Sequence, residues 1–303
     1  MEDYLVPNQK FAVVALVGAP NSGKSTLMNR IVGVKLSIVS PKVQTTRNNI
    51  VGLFNRRQVQ LVFIDTPGLF RPKKRLQRAM VDSAWSSARD ADQVVFLLDS
   101  STGITDSTKN IIEEFTLKEI PVTIALNKTD LVHPTRLLGV ADFFSSKKIG
   151  WEIFMISALT GDGVQDLVKS LLLKAKEGPW HYPEDQLTDL PLRYLAEEIT
   201  REALFLQLQQ ELPYSCMVGT DGWRTLVDKS VRVNQTICVE RESHKLIVVG
   251  NNGDRIKAIS RAARKGIAKL LGVKTHLFVR VKVDKGWGER KEYFNSLGLK
   301  YDV

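Results

Sequence analysis

The 303-residue chain has two cysteines, Cys216 and Cys238, and their spacing fits neither a metal site nor a disulfide framework. They read as packing thiols in a reducing compartment. No apolar run approaches the roughly 20 residues that a bilayer crossing needs. The opening MEDYLVPNQK is acidic and polar, unlike a secretion signal. These absences point to the cytosol. Internal repeats and low-complexity segments are missing too, and the four histidines (His133, His181, His244 and His276) are scattered and read as structural. What is present is ordinary for a globular protein, with 43% hydrophobic and 25% charged residues over a length that suits two domains.

Charge of one sign is short in one place only. From Val231 onward there are 16 Lys+Arg against 7 Asp+Glu, so nearly all of the net +10 belongs to the last quarter of the chain. That bias fits a nucleic-acid or anionic-membrane footprint on a separate domain, and equally a solvated basic face.

The first part alternates apolar runs (FAVVALVG, QLVFIDTPG, QVVFLLDSS, PVTIALNKTD, EIFMISAL) with amphipathic segments. Strands buried on both faces read this way, and their alternation with helices predicts a mostly parallel, doubly wound sheet. NNIVGLFNRRQVQLVFIDT predicts a hairpin turning at 55–57, adding an antiparallel edge strand. The Pro- and Gly-bearing stretch after Lys174 has linker composition, giving domains over 1–177 and 191–303 joined by a linker at 178–190. In the second domain LRYLAEEITREALFLQLQQEL has helical spacing. VRVNQTICVE and HKLIVVG read as a strand pair, DRIKAISRAARKGIAKLLG as a helix and THLFVRVKV as a last strand.

GAPNSGKS fits G-x-x-x-x-G-K-[ST], between a strand and a helix. Gly18 and Gly23 let backbone N–H groups turn toward phosphate oxygens, and the anion sits at a helix N-terminus. The candidate phosphate site is therefore Gly18, Ala19, Pro20, Asn21, Ser22, Gly23, Lys24, Ser25 and Thr26, with Lys24 on the β/γ-phosphates and Ser25 on Mg²⁺. In the DTPG that follows the third run, Asp65 suits the Mg²⁺ shell and the Gly68 N–H the γ-phosphate, with Thr66 and Pro67 between them. NKTD selects the base. Asp130 can accept from the guanine N1–H and N2–H₂ edge that adenine lacks, while Asn127 meets the base edge and Lys128 lies along the ring and braces the phosphate loop. The SAL at Ser157, Ala158 and Leu159 adds a backbone N–H for the guanine oxygen. Each motif ends a predicted strand on the ligand-binding edge of the sheet.

With these four motifs in this order the chain resembles translation-factor-class GTPases. In KVQTTRNN the resemblance favours Thr46 as the Mg²⁺ ligand that moves on hydrolysis, and Thr45 stays open on spacing. Many switches place a water-orienting glutamine after the DTPG glycine, whereas this chain has Leu69. It resembles the GTPases with an apolar residue there, in which a phosphate-loop asparagine binds K⁺; Asn21 holds that position.

In the second domain, Gly250, Asn251, Asn252 and Gly253 form a GxxG turn ahead of a helix carrying Arg255, Lys257, Arg261, Arg264, Lys265 and Lys269. Such a turn lets the phosphates of a single strand approach closely. The element order resembles a type II KH domain. A GTPase followed by such a domain, with GPWHYPEDQLTDLPLRYLAEEITRE and ELPYS between them, resembles the Era family of bacterial GTPases. The resemblance covers essentially the whole chain. It implies GTP hydrolysis with Mg²⁺, binding to the 3′ end of 16S rRNA and to the 30S subunit, a monomer, and a cytoplasmic protein with a peripheral membrane-associated pool. Related alternatives are a GTPase of tRNA modification and a nucleotide-dependent small-molecule enzyme. Outside the phosphate-loop set, no organised nucleophile or acid–base group favours the enzyme reading.

Overall fold

The computed structural model describes residues 8–40, 45–146, 151–208 and 212–303. Residues 42–44 of the switch segment and Glu211 of ELPYS lie outside them. The chain divides into two compact units.

The first unit is built on a sheet of β1 (Lys10–Gly18), β2 (Ile50–Arg56), β3 (Val59–Asp65), β4 (Gln93–Asp99), β5 (Val122–Asn127), β6 (Ile153–Met155) and the short β7 (Lys176–Glu177). The strand order is β2-β3-β1-β4-β5-β6, with β7 antiparallel to the start of β1. β1 lies parallel to both β3 and β4, and β5 lies parallel to both β4 and β6. Only β2 and β7 run the other way, and β2 makes the expected edge hairpin with β3, turning at 57–58. Five helices connect the strands: α1 (Lys24–Val32), α2 (Arg75–Asp90), α3 (Asp106–Leu117), α4 (Pro134–Ser146) and α5 (Val164–Leu173). β1, β4 and β5 are buried on both faces, as their unbroken apolar runs require. One core layer gathers Val17, Leu69, Ala84, Phe96, Phe115 and Ile124 beneath α2 and α3. The C-terminal ends of β1, β3, β4 and β5 thus share the edge at which loops carry ligands.

Residues 178–189 run along this unit. The Leu53 N–H bonds to the Leu187 carbonyl, the Thr188 hydroxyl to the Val51 carbonyl, and the His181 ring stacks on Phe11 at 4.0 Å. Residues 297–303 also belong here, with the Arg75 guanidinium over the Tyr301 ring at 4.7 Å.

The second unit contains α6 (Leu192–Gln207), β8 (Cys216–Thr225), β9 (Val231–Val239), α7 (Glu242–Val249), α8 (Asp254–Leu271), β10 (Thr275–Val283) and α9 (Lys291–Ser296). Its three-stranded sheet has the order β10-β9-β8, with β8 antiparallel and β10 parallel to β9. One face packs Val218, Ile237 and Val239 against Leu204, Val248, Ile259 and Ala263 from the helices. Gly266 brings α8 close to α6, since a Cβ there would lie 2.6 Å from Ile199. Two expectations are corrected. HKLIVVG is not a strand but the end of α7, and the partner of VRVNQTICVE is CMVGTDGWRT. Periodicity cannot separate a short β-branched run from a buried helical turn, and here packing of Val248 into the core decides for helix. β8 escapes a period-two reading because its ladder shifts register between Thr220 and Gly222.

Candidate nucleotide-binding site and nucleic-acid interface

The phosphate loop closes β1 and opens α1. Gly23 sits at φ 99°, and a Cβ there would fall 2.1 Å from the Asn127 amide nitrogen, so only glycine fits. Lys24 turns back over the loop, its Nζ 3.1 Å from the Gly18 carbonyl and 3.0 Å from that of Ala19. Burial pulls its ammonium down to about 8, with the carboxylate of Asp65 opposing the shift. Asp65 shifts the other way, because burial raises its carboxyl against Lys24 and the nearby hydroxyls. A phosphate in the loop supplies negative charge that opposes this downward shift of Lys24.

Beside it, three oxygen donors from distant segments meet. The Ser25 hydroxyl donates to Asp65 Oδ2 at 2.6 Å and lies 3.1 Å from the Thr46 hydroxyl, itself 3.5 Å from the same carboxylate oxygen. Asp65 Oδ1 is buried without a hydrogen-bond partner. Two hydroxyls and a buried carboxylate with an unspent oxygen fit a hard divalent cation such as Mg²⁺. Thr46, not Thr45, is the switch threonine brought into this group.

DTPG is fixed to β1 and to the phosphate loop. The Thr66 hydroxyl donates to the Leu16 carbonyl at 2.8 Å, and the Leu69 N–H donates to the Gly18 carbonyl at 2.9 Å. Gly68 lies so close to Pro20 that a Cβ would meet its ring nitrogen at 2.8 Å. The Leu69 side chain is 2% exposed and packs in the core, so it faces away from any attacking water.

The base-recognition loops are bound to each other. The Asn127 amide donates to the Ser22 carbonyl at 2.7 Å, and its oxygen accepts the Ala158 N–H at 2.9 Å. Asn127, expected at the base edge, joins the phosphate loop to SAL. SAL is expected to offer one backbone N–H to the guanine oxygen, and of its N–H groups that of Ala158 takes part in this bridge. The Asp130 carboxylate is exposed, with one oxygen held by the Ser157 hydroxyl at 2.7 Å. Lys128 takes a left-handed backbone, φ 65°, and its ammonium pairs with Asp99 at 2.6 Å. Burial alone would raise the Asp99 carboxyl, but the bonds from Lys128 and Ser101 outweigh it and hold the group below its ordinary value.

In the second unit GNNG forms a tight turn between α7 and α8. Gly250 takes φ 76°, where a Cβ would lie 2.7 Å from that of Arg255. Arg255 donates to the Ile247 carbonyl at 2.7 Å and Lys257 to the Asn252 carbonyl at 3.2 Å, so these two cations hold the turn from within. The side chains of Asn251, Asn252, Arg261, Arg264 and Lys265 are exposed, the last three on the face of α8 away from buried Ile259, Ala263 and Ile267.

Residues 13–128 match the family described as 50S ribosome-binding GTPase, and residues 211–288 match the KH domain family. The chain is 51% identical over 290 residues to GTPase Era of Rhizobium meliloti (strain 1021), covering 95% of this chain and 92% of that one. It is 49% identical to GTPase Era of Mesorhizobium japonicum over 95% of this chain and 93% of the relative. The chain belongs to the Era GTPase family. Two solved Era structures superpose at TM-score 0.91 with 37% identity. One, described as Era in complex with MgGDPNP and nucleotides 1506–1542 of 16S ribosomal RNA, covers 98% of this chain and 100% of its own. The other, a variant of Aquifex aeolicus Era bound to GDP·AlF₄⁻, covers 97% and 100%.

Era-family membership fixes the fold class, a P-loop GTPase unit with a mostly parallel sheet followed by a KH unit. Within this member, sequence reasoning did not single out Asp99, Arg30, Leu246 or Ile247. Asp99 ends the β4 run at the ligand edge, and that position was its signal. Arg30 on α1 donates to the carbonyls of Ala158 (3.2 Å) and Leu159 across 128 residues, which no local pattern announces. Leu246 and Ile247 lie 71% and 46% exposed just before GNNG, an apolar surface beside the clamp hidden by the strand reading.

Proposed function

We propose that this Era-family chain is a GTP-hydrolysing switch that grips the 3′ end of 16S rRNA through its KH unit and assists maturation of the 30S subunit. The observation that carries this reading is the full-length match to an Era structure described with MgGDPNP and a 16S rRNA fragment. Both candidate sites described above lie in the chain in that arrangement of domains.

The loop N–H groups and Lys24 receive the phosphates, and Ser25, Thr46 and Asp65 would hold Mg²⁺, which supplies charge neutralisation at the phosphate oxygens. Water attacks the γ-phosphorus in line, the bond to the GDP oxygen breaks, and the water's proton leaves with phosphate. No side chain at the position of Leu69 can aim that water, because the residue is in the core. Asn21, left-handed at φ 62° in the loop, is assigned to K⁺ beside the transferring phosphate. Loss of the γ-phosphate removes the reason for Thr46 and Gly68 to stay close, so the switch loops relax.

The protein works as a cytoplasmic monomer with a peripheral membrane pool; no helix among the described residues is long and apolar enough to cross a membrane. Crosslinking followed by sequencing of bound RNA tests the reading. Recovery of the small-subunit rRNA 3′ end supports it, and recovery of tRNA in its place overturns it. For the K⁺ assignment, turnover is faster in K⁺ than in Na⁺, and Asn21→Ala removes the difference; equal rates in the unmodified protein contradict it.

A further inference from the structure

Among the described residues, the helices of the KH unit pack on one face of its sheet. On β9 and β10 the core side takes Val233, Ile237, Leu277 and Val279. Alternation therefore sends Arg232, Asn234, Phe278, Arg280 and Lys282 to the opposite face. The register sets Asn234 beside Phe278 and Thr236 beside Arg280 on the parallel pair, with Arg224 opposite Arg232 on β8.

This outer face has an unusual content. Phe278 is 53% exposed, and the Arg232 guanidinium stands 4.6 Å from its ring centroid. Arg280 is held upright by the Thr236 hydroxyl at 2.6 Å and by Asp221 at 3.5 Å, yet stays 71% exposed. Arg224, Arg232, Arg280 and Lys282 share this face with Asp221, while Asp284, just past β10, is paired with Arg290. Gly222 on β8 packs against Asn234, whose amide nitrogen a Cβ there would meet at 3.1 Å, so the strand adds no side chain of its own at this point.

We propose that this face is a second RNA surface, on which an unpaired base stacks on Phe278 while the flanking cations take the adjoining phosphates. The proposal rests on the reading of the KH unit as an RNA binder and extends it beyond the GNNG clamp. Charge complementarity selects the occupant. Four cations on a face with one exposed aromatic ring suit a polyanion with π-faced bases. A protein partner would need a larger apolar centre than one phenyl ring, as would insertion into a lipid surface. Outward residues two apart on a strand stand about 6.6 Å apart, the scale of an extended nucleotide step. β10 is an edge strand, so a single strand passing over that edge reaches both faces.

The test uses the full chain and two fragments of the small-subunit rRNA 3′ end. One is about four nucleotides long, enough for the clamp, and the other about twelve. For Phe278→Ala, affinity for the longer fragment falls about 5- to 100-fold, the range of one lost base–aromatic stack, while the shorter fragment binds as before. Phe278→Tyr restores the longer fragment, as a stacking role requires and a mere change in polarity would not. Asn252→Asp weakens both fragments. Unchanged affinity of Phe278→Ala for the longer RNA, with a wild-type unfolding curve, overturns the second surface and leaves the face to another partner. If Asn252→Asp also binds both fragments normally, it is the KH reading that has failed.

Discussion

The two candidate sites are built in opposite ways. At the nucleotide site the polar atoms are tied to one another across long stretches of chain: Asn127 to Ser22 over 105 residues, Arg30 to Ala158 over 128. At the GNNG turn the supporting bonds span five and eight residues, and the exposed asparagines face outward. The first is a preassembled network whose members depend on each other, so its losses are cooperative. The second is a local turn with a basic surface, so its losses are close to additive and depend on salt.

The largest expected break is at the base. Replacing Asp130 with asparagine removes the acceptor for guanine N1–H and N2–H₂. GTP affinity falls by about 10⁴-fold and xanthosine triphosphate gains correspondingly. Competition binding with the two nucleotides checks this, and an unchanged preference removes Asp130 from the base site.

Asn127→Ala comes next. It strips partners from the buried Ser22 carbonyl and Ala158 N–H, each worth about 1–3 kcal/mol when left unsatisfied. Nucleotide affinity falls about 100-fold, and thermal unfolding of the nucleotide-free protein shifts down as well. A loss of affinity without loss of stability would mean that Asn127 serves the base after all.

A smaller effect sharpens the same contrast. Asp99→Asn keeps the shape but weakens the pairing of Lys128, a partly exposed bond worth about 1 kcal/mol. Nucleotide dissociation speeds up about fivefold by stopped-flow, with the GTP-to-xanthosine preference intact. A changed preference would place Asp99 at the base itself.

The uneven legibility of the molecule follows the same division. GAPNSGKS, DTPG and NKTD are readable because their chemistry is local: glycines where backbone must approach, a lysine and a hydroxyl at fixed offsets. Ser25, Thr46 and Asp65 meet as that reading requires. The braces are another matter. Arg30 is an ordinary basic residue in the last turn of α1 until the fold brings SAL to it. The NKTD motif says nothing of the bond from Asn127 to the Ser22 carbonyl. In the KH unit the glycine turn and the basic helix were legible, but HKLIVVG was drawn as a strand because its β-branched residues carry that propensity. Packing of Val248 overrode it. β8 was missed because a bulge breaks its alternation.

Under the proposed function, one chain divides guanine-nucleotide binding and RNA binding between these two constructions. The most direct test of that division is Asn252→Asp, an isosteric change that adds one negative charge to a left-handed position already tolerated by asparagine, φ 51°. GTP affinity and affinity for the small-subunit rRNA 3′ end are measured on the same preparation. RNA binding weakens about tenfold or more, with the loss shrinking as salt is raised, while GTP affinity stays within about twofold. Wild-type RNA binding, or an equal loss at both sites, would contradict the division.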